Sequence, residues 1–441
     1  MVFARDARKG LAWLLAVAII VTLGIAVQQR HRTTAKLADP RGGHISDFDR
    51  WMVMTPHFLH EHADYVGDEL PTPPLSLIVF APLIALSRPD AAFVWVCVKL
   101  PLACLVFWLC AAMAARSGRP LTATAIALIV AGWWLAVIVD MQEGQTNFLA
   151  LAPLVGGLYL AQSDRRGSDL GAGALVGLGA AMKVTPVIFI VYFVWKRRWR
   201  LAAAAAVSVG LWLTAVPAAV FGWDQNWRWL GQWVQIMIVP YVTHGTVVYA
   251  TSQSVASFVL RFLTPTAAFD AHPGGAIVSH YMNVLSLGNE AARAIVRVAM
   301  VAAGAAGLWW SRRRLASLRS PRYVVEIGMV AAFMLWFSER TWVHHYVSFI
   351  LTLTAAGAVL SNTAGTDAEK RPLRWAVIVF AALSFLASDV SKIFGPDGVD
   401  WAKAAGVYLW PSVLVGLALI RADRSSAAAE ANRLPETATR S

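Results

Sequence analysis

The sequence predicts an all-α integral membrane protein that crosses the bilayer many times, and three observations support this fold class. Of the 441 residues, 58% are hydrophobic and only 15% are charged, whereas soluble domains carry about 25% charged residues. Many apolar segments approach the roughly 20 residues with which an α-helix crosses the hydrocarbon core. The basic residues are concentrated in short segments between them, which is the distribution typical of cytoplasmic loops.

Apolar segments of helical length occur along the whole chain and predict its helices in order. The predicted helices are 10–27, 73–87, 90–115, 121–139, 147–162, 170–182, 184–195, 201–221, 290–310, 323–338, 346–361, 374–393 and 404–420. No small-residue cleavage motif follows segment 10–27, so we interpret it as an uncleaved helix and not as a signal peptide.

Basic segments set the predicted orientation. "RDARK" at 5–9, "KRRWR" at 196–200 and "SRRRLASLRSPR" at 311–322 are assigned to the cytoplasm, together with both termini. Residues 28–72 then form the first extracytoplasmic loop, and residues 222–289 form a second extracytoplasmic region.

This orientation predicts about 12 crossings. Loop 163–169 lies in the cytoplasm only if one of segments 73–87 and 121–139 does not cross fully. The segments on either side of Lys183 are short for a crossing, and short helices at membrane depth are tolerated where they line a cavity. Lys183 is expected at their outer tip.

The helices are predicted to form one transmembrane domain, residues 1–421, followed by a polar Ala/Ser-rich tail, residues 422–441, that is expected to be disordered. The net charge of +12 matches anionic membrane lipids as partners, and no nucleic-acid partner is predicted. Cys97, Cys104 and Cys110 lie in one apolar segment and are expected to be small buried hydrophobic residues.

Unusual polar residues collect on the predicted outer side. They are Asp47, Asp49, Gln145, Asn147, Lys183, Gln253, Ser254, Arg261, Trp342, His344 and His345. Each has an ordinary structural interpretation when taken alone: a solvated loop carboxylate, a helix cap, a snorkelling lysine or a residue of the membrane interface. Because they converge on one side of a membrane protein, we interpret them as a functional site.

These residue types suit the transfer of a group from a lipid-anchored donor. A carboxylate at the membrane face can take a proton from an acceptor hydroxyl as a general base. A lysine, with donors from Arg, Gln or His, can hold a phosphate and stabilise the charge that develops on it.

The order of the motifs resembles that of glycosyltransferase family 87, the polyprenyl-phosphate-sugar-dependent membrane transferases of the GT-C class. The motifs that carry the resemblance span roughly residues 10–360. They are Asp47-Phe48, "TPPLSLIVFAPLIAL" at 72–86, "GQTNFLAL" at 144–151, "GLGAAMKVTPVIFIVYFVWKRRWR" at 177–200, "SQSVASFVLR" at 252–261 and "SERTWVHHY" at 338–346.

The resemblance implies a GT-C fold and an inverting transfer at the extracytoplasmic face of the bacterial inner membrane. It implies a polyprenyl-phosphate-linked sugar as donor and a glycolipid or glycan hydroxyl as acceptor. The final motif is similar to the mannosyltransferase branch, so the sugar is expected to be mannose. The resemblance also implies that Asp47 is the general base, that Lys183 meets the donor phosphate with help from His345, and that no metal or other cofactor is needed.

Two departures from the family pattern leave alternatives open. Ser252 stands where the family tends to have Asn, which puts a contact from that position in doubt. Because Asp49 follows Asp47 by two residues, the "DFD" sequence also matches an Asp-x-Asp metal motif. Asp49 is in addition the alternate candidate for the general base. A divalent cation between Asp47 and Asp49 is the less favoured interpretation, since hard cations take more oxygen ligands than this pair supplies.

Two rival functions remain. A transporter or flippase of lipid-linked substrates predicts charges at mid-membrane and two related halves, whereas the acids here lie in a loop and the halves look unalike. A membrane acyltransferase would use His and Asp but would leave Lys183 without a role.

The predicted orientation is testable by cysteine labelling. Cysteines placed at positions 47, 183, 253 and 345 should react with a membrane-impermeant maleimide in intact cells, whereas those at positions 165, 198, 313 and 424 should be protected. Labelling of position 313 from outside would overturn the orientation and the shared site that depends on it.

Overall fold

The structure is a computed structural model, and it describes residues 7–38, 47–65, 71–243, 251–271, 277–338, 340–363, 366–388 and 393–431. Within these ranges the chain is mostly helical, which confirms the all-α class. The chain divides into two compact units, which we call the first and second units. The first unit comprises Leu11–Leu109 and Ala136–Val247, and the second comprises Met1–Gly10, Cys110–Leu135 and Val248–Ser441. The predicted single domain therefore contains two compact units.

In the described ranges up to residue 243, every element is helical. They are α1 Ala7–Ala38, α2 Asp47–Glu61, α3 Leu75–Phe80 with a 3₁₀ turn at Ala81–Ala85, α4 Arg88–Arg116, α5 Ala123–Glu143, α6 Asn147–Leu160, α7 Ser168–Met182, α8 Val187–Trp195, α9 Trp199–Leu213, α10 Ala215–Phe221, α11 Trp223–Trp233, a π-helical segment Val234–Ile238 and α12 Val239–Thr243.

The elements after residue 250 include a short antiparallel hairpin in which Asp270 pairs with Ser279. They are α13 Val255–Leu263, β1 Phe269–Ala271, β2 Val278–His280, α14 Asn289–Trp310, α15 Pro321–Trp336, a 3₁₀ segment Val343–Phe349, α16 Ile350–Ser361, α17 Asp367–Leu386, α18 Gly395–Ala404 and α19 Leu409–Ala431.

Five helical segments in the described part of the chain are long and apolar enough to cross a membrane, or six if a pair bent by 42° counts as one span. The chain is therefore an integral membrane protein. The spans are Arg88–Arg116, Ala123–Glu143, Trp199–Phe221, Asn289–Trp310, Val343–Ser361 and the pair Asp397–Ala404 with Leu409–Arg424. Other predicted crossing segments form shorter apolar helices, such as Ser168–Met182, so a total of about 12 stays a prediction.

Two segments expected to be extracytoplasmic loops contain helices in their described parts. Helix α1 continues to Ala38, and α2 occupies residues 47–61 of the predicted first loop, while α11 and α12 occupy much of 222–243. Helix α2 buries Phe48, Trp51, Met52, Thr55 and Phe58, a helical spacing that places them on one face. Mean hydropathy did not predict α2 and α11 as helices, because the polar face of each helix lowers its mean hydropathy.

The tail also differs from its prediction. Helix α19 runs to Ala431, so residues 422–431 are helical and not disordered. Residues 432–441 lie outside the described residues.

Helix α7 packs against its neighbours through glycines. A Cβ atom on Gly173 would lie 2.4 Å from the carbonyl oxygen of Leu201, and one on Gly177 would lie 2.4 Å from that of Ala205. On another side of α7, a Cβ on Gly179 would lie 2.7 Å from the carbonyl oxygen of Ala150 in α6. Small residues four apart allow helix backbones to approach this closely in membranes. The position of Lys183, which directly follows α7, is therefore set by backbone contacts with α6 and α9.

Replacing Gly177 by alanine should destabilise the protein, because the new methyl group would overlap the α9 backbone. Overpacking of this kind costs about 1–3 kcal/mol. The measurement is the thermal unfolding midpoint of purified protein in detergent. The matched control is Gly210→Ala in α9, where a Cβ would meet nothing within 4 Å and alanine favours the helix. Equal midpoints for the two variants would contradict the packing described for α7.

Candidate functional site

Asp47 opens helix α2, where its carboxylate is stabilised by the positive end of the helix dipole. The Asp47 side chain is 31% exposed, and its Oδ1 lies 3.6 Å from Nη1 of Arg50 in the next turn. Phe48 and Trp51 are buried and anchor the helix, so that the charged end stays partly open to solvent.

Asp49 is engaged elsewhere. Its Oδ2 accepts a hydrogen bond from Nζ of Lys36, 3.2 Å away near the end of α1, and its side chain is only 12% exposed. Residues two apart on a helix do not face each other, so Asp47 and Asp49 contact different partners. In the described ranges, no group of three or more His, Cys, Asp or Glu side chains is placed to hold a metal ion.

The turn between α5 and α6 packs directly against the start of α2. Gly144 adopts a φ of +69°, and a Cβ on it would lie 2.3 Å from the Cβ of Phe48. Its carbonyl oxygen accepts a hydrogen bond of 2.8 Å from Nε1 of Trp95 in α4. These two contacts fix the position of the turn. The next residue, Gln145, donates a hydrogen bond from Nε2 to Oδ2 of Asp47. The structure therefore brings together two motifs that are about 100 residues apart in sequence.

Asn147 begins α6 and connects a lysine to a buried acid. Its Nδ2 donates to Oδ2 of Asp140 in α5 at 2.8 Å, and its Oδ1 accepts a hydrogen bond from Nζ of Lys183. Asp140 in turn pairs with Lys99 in α4, with 3.0 Å between Oδ1 and Nζ, and both side chains are fully buried. Nζ of Lys99 also donates to the carbonyl oxygen of Gln145 at 3.3 Å.

These contacts form one polar network within the first unit. Its members, in order, are Asp47, Gln145, Lys99, Asp140, Asn147 and Lys183. The sequence predicted four of the six as site residues and missed the pair Lys99 and Asp140. The signal available for that pair was a single charge within each of two otherwise apolar segments, "VWVCVKLPLAC" and "LAVIVDMQE".

Lys183 is half-buried at the end of the network. Removal from bulk water lowers the pKa of its ammonium group from the ordinary value to about 8, while the negative charges of Asp140 and Asp47 oppose that shift. The group is therefore cationic at neutral pH and incompletely hydrated, which strengthens its attraction for an anion.

In the second unit, Gln253, Ser254 and Arg261 are fully buried. The Gln253 side chain donates to the carbonyl oxygen of Lys403 at 2.7 Å and accepts from the backbone N–H of Tyr408 at 3.2 Å. Ser254 caps α13 by accepting from the backbone N–H of Ser257 at 3.2 Å. Both residues were predicted from sequence as substrate contacts. In the structure Gln253 joins two distant segments, and Ser254 caps its own helix.

Arg261 takes part in the same arrangement. Its Nη2 donates to the carbonyl oxygens of Ser252 at 3.0 Å and Ala404 at 3.2 Å. The hydroxyl of Ser252 accepts from the backbone N–H of Thr341 at 3.2 Å. The "SQS" and "TWVHH" motifs are thereby joined.

The histidine pair lies in the 3₁₀ segment after Trp342. The rings of His344 and His345 meet at right angles with 4.5 Å between their centroids. His344 is buried, whereas Trp342 and His345 are half-buried. Nδ1 of His345 accepts from the backbone N–H of Trp342 at 3.2 Å. The neutral ring must therefore carry its proton on Nε2, where it can act as a hydrogen-bond donor.

Comparison with known proteins identifies the family. The model of glycosyltransferase family 87 matches residues 72–338, more than half of the chain. The protein belongs to glycosyltransferase family 87. The matched range includes Gln145, Asn147, Lys183, Gln253, Ser254 and Arg261, whereas Asp47 and the histidine pair lie outside it.

Two curated relatives carry the same name, polyprenol-phosphate-mannose-dependent alpha-(1-2)-phosphatidylinositol mannoside mannosyltransferase. The relative from Mycobacterium tuberculosis is 23% identical over 314 residues, covering 66% of this chain and 63% of its own length. The relative from Mycolicibacterium smegmatis is 24% identical over 377 residues, covering 80% of this chain and 76% of its own. This chain therefore matches less than two thirds of the length of the first of these relatives.

One solved structure is similar along nearly the whole chain. It is the crystal structure of ArnT from Cupriavidus metallidurans bound to undecaprenyl phosphate, with a TM-score of 0.40 and 15% identity over 96% of this chain and 78% of that one.

Replacing Gly144 by alanine should destabilise the α5–α6 turn in two ways. Alanine is strained at a positive φ, and its methyl group would overlap Phe48 and displace the start of α2. The combined loss should exceed the roughly 1 kcal/mol expected from the backbone strain alone. The matched control is Gly118→Ala, which has a φ of +79° but nothing within 4 Å of the added Cβ. Thermal unfolding in detergent compares the two, and a loss no larger in Gly144→Ala would contradict the close contact.

Proposed function

We propose that this protein transfers mannose from a polyprenyl-phosphate donor to a hydroxyl group of a glycolipid or glycan. Membership of glycosyltransferase family 87 and the names of the two curated relatives support the donor. The observation that carries the proposal is the polar network of the first unit, which joins a partly exposed carboxylate to a half-buried ammonium group. A proton acceptor and a cation for a phosphate are the two groups that this transfer needs.

The reaction is a single displacement at the anomeric carbon. The acceptor oxygen attacks that carbon as the bond to the phosphate oxygen breaks, and the bonding electrons leave with the polyprenyl phosphate. The proton of the acceptor hydroxyl passes to the carboxylate of Asp47. One displacement of this kind inverts the anomeric configuration.

Asp47 is favoured over Asp49 as the base by its surroundings. Asp47 is the more exposed of the two, and a side-chain amide holds one of its oxygens. Asp49 is more deeply buried and ion-paired with Lys36, so its charge is already compensated. The proposed reaction uses no metal ion and no other cofactor. The different partners of the two carboxylates support the part of this proposal that concerns a metal between them.

Lys183 is proposed to meet the donor phosphate. Charge on the phosphate oxygens grows as the sugar leaves, so a nearby ammonium group binds the transition state more tightly than the ground state. In the second unit by itself, His345 is proposed as a hydrogen-bond donor through Nε2, and Trp342 as a stacking surface for a sugar ring. Gln253, Ser254 and Arg261 are proposed to support these residues through the backbone contacts described above.

The proposal includes a location for the chemistry. The basic segments favour cytoplasmic termini and a site on the extracytoplasmic face of a bacterial inner membrane. About 12 crossings and a GT-C fold belong to the same proposal.

A transporter or flippase of lipid-linked substrates is the second candidate. Its support is the ion pair of Lys99 and Asp140, since charges within membrane spans are common in transport pathways. A transfer assay separates the two functions. Membranes containing the protein are incubated with radiolabelled polyprenyl-phosphate mannose and extracted lipid and glycan acceptors. A glycosyltransferase produces a labelled acceptor and free polyprenyl phosphate, whereas a flippase returns the donor chemically unchanged.

The Asp47→Asn variant should lose about 10²–10⁴-fold in kcat, the usual contribution of a general base. Expression and binding of the donor should remain, because only the proton acceptor is removed. The matched variant Asp49→Asn should retain most of its activity. If Asp49→Asn abolishes transfer and Asp47→Asn does not, the base is Asp49. If a chelator also abolishes transfer by the wild type, the metal interpretation of the "DFD" sequence is the correct one.

The affinity for the donor should fall as the pH rises through about 8, because the pKa of Lys183 is lowered to about 8 and only its protonated form attracts the phosphate. Lys183→Arg should keep the charge at higher pH and extend the range of binding. Lys183→Gln should raise the donor KM, lower kcat and remove this pH dependence. Unchanged kinetics in folded Lys183→Gln would exclude Lys183 as the phosphate partner.

A further inference from the structure

The ion pair of Lys99 and Asp140 has no direct part in the reaction described above, yet it lies at the centre of the network. Nζ of Lys99 donates to Oδ1 of Asp140 at 3.0 Å, to the carbonyl oxygen of Asp140 at 2.6 Å and to that of Gln145 at 3.3 Å. A lysine ammonium has three N–H donors, so these three acceptors use all of them. Lys99 therefore acts within the protein, and it has no remaining donor for a substrate.

The second oxygen of Asp140 determines the orientation of the Asn147 amide. An ionised carboxylate only accepts hydrogen bonds, and a lysine ammonium only donates them. Asn147 lies between Asp140 and Lys183, so its NH₂ group must face Asp140 and its oxygen must face Lys183. Reversing the amide would place two acceptors together at Asp140 and two donors together at Lys183.

The ion pair of Lys99 and Asp140 also fixes the part of the network that leads to Asp47. Trp95 and Lys99 are one turn apart on α4 and donate to the consecutive carbonyl oxygens of Gly144 and Gln145. These contacts fix the turn from which the Gln145 side chain reaches Asp47. The pair thus contacts both the residue that holds Asp47 and the residue that holds Lys183.

A contribution to the free energy of folding does not explain why Lys99 and Asp140 are buried as an ion pair. Burying two charges carries a large desolvation penalty, and replacing a buried ion pair by apolar residues of similar volume is often neutral or stabilising. Charges within membrane spans are correspondingly rare and are generally associated with function.

We propose that Lys99 and Asp140 are positioning residues that orient the side chains of Gln145 and Asn147 and thereby place Asp47 and Lys183 for the transfer. This inference rests on the proposed function, because it assigns the pair a role in that reaction. A misplacement of about 1 Å at a reacting group lowers the rate about 10²-fold, so loss of the pair should slow catalysis even where the fold survives.

Two variants test the inference. In Asp140→Asn, Lys99 keeps its two carbonyl acceptors, but its buried charge loses its partner. The thermal unfolding midpoint is therefore expected to fall, and kcat is measured well below it. In the double variant Lys99→Met/Asp140→Leu, both charges are removed together and an apolar pair of similar size remains. If the pair serves packing alone, the double variant behaves like the wild type. If it positions the site, kcat falls about 10–10²-fold in both variants, and in the double variant it does so while the thermal unfolding midpoint stays close to that of the wild type.

A second readout is the pH dependence of donor binding. The charges that face Lys183 are Asp140 from α5 and Asp47 from α2. Removing the charge of Asp140 leaves Lys183 with less negative charge nearby, so its proton is lost at lower pH. The alkaline limit of donor binding should therefore shift to lower pH in Asp140→Asn, an effect that a role in packing would not produce.

The control is a partly buried ion pair of the second unit. Arg322 pairs with Asp423, at 2.5 Å between Nη1 and Oδ2, and with Glu326, at 3.1 Å between Nε and Oε1. Asp423→Asn should change the unfolding midpoint without changing kcat or the pH limit. A shift of the pH limit in Asp423→Asn equal to that in Asp140→Asn would overturn the inference.

A binding measurement distinguishes failure of the positioning role from failure of the proposed function. Binding of undecaprenyl phosphate to purified protein is followed by the shift of its thermal unfolding midpoint. A wild type that neither binds the lipid phosphate nor transfers mannose contradicts the proposed function. Suppose instead that the wild type binds the lipid phosphate and transfers mannose. If the folded Asp140→Asn and double variants then show unchanged kcat, lipid binding and pH limit, the positioning role is overturned and the proposed function stands. If the double variant does not fold, Asp140→Asn decides by the same measurements.

Discussion

Two opposite charges buried in apolar helices constrain the rest of the first unit. Lys99 and Asp140 have no exposed side-chain surface, so neither charge is compensated by water. Removing one partner of a buried pair typically costs about 3–5 kcal/mol because the other is left uncompensated. Helices α4 and α5 must therefore stay in register, with the ammonium group of one opposite the carboxylate of the other.

The α5–α6 turn follows from that register. Lys99 reaches past Asp140 to the carbonyl oxygen of Gln145, so the turn cannot shift without opening the ion pair. Helix α2 is then placed by the contact of Phe48 with Gly144 and by aromatic packing, with Trp51 stacked on Phe80 at 4.9 Å between ring centroids. The partly exposed carboxylate of Asp47 is thus supported by a buried aromatic cluster and by a buried charge pair.

Sequence alone predicted the membrane class and much of the candidate site, for physical reasons that differ by residue. Long apolar segments are visible in any window, so α4, α5 and α14 were predicted close to their observed bounds. Asp47, Gln145, Asn147 and Lys183 were selected as polar residues beside apolar helices, and the structure brings all four into one network. Helices α2 and α11 were missed because an amphipathic helix has a mean hydropathy similar to that of a loop. The pairing of Lys99 with Asp140 depends on which helices are neighbours, and no local pattern contains that information. Nor does the sequence show that the side chains of Gln253 and Arg261 form hydrogen bonds with backbone groups of distant segments.

The glycine contacts of α7 have a consequence for the energetics of ligand binding. Where helices meet backbone to backbone, few rotatable side chains lie between them, and the assembly of α6, α7 and α9 has little freedom to relax. Lys183 follows α7 directly, and Asn147, which accepts its hydrogen bond, opens α6. The two residues are therefore preorganised before any anion arrives. The conformational entropy of the Lys183 side chain is lost when the helices pack, before an anion binds there. Ordering of the site therefore subtracts little from the free energy of anion binding.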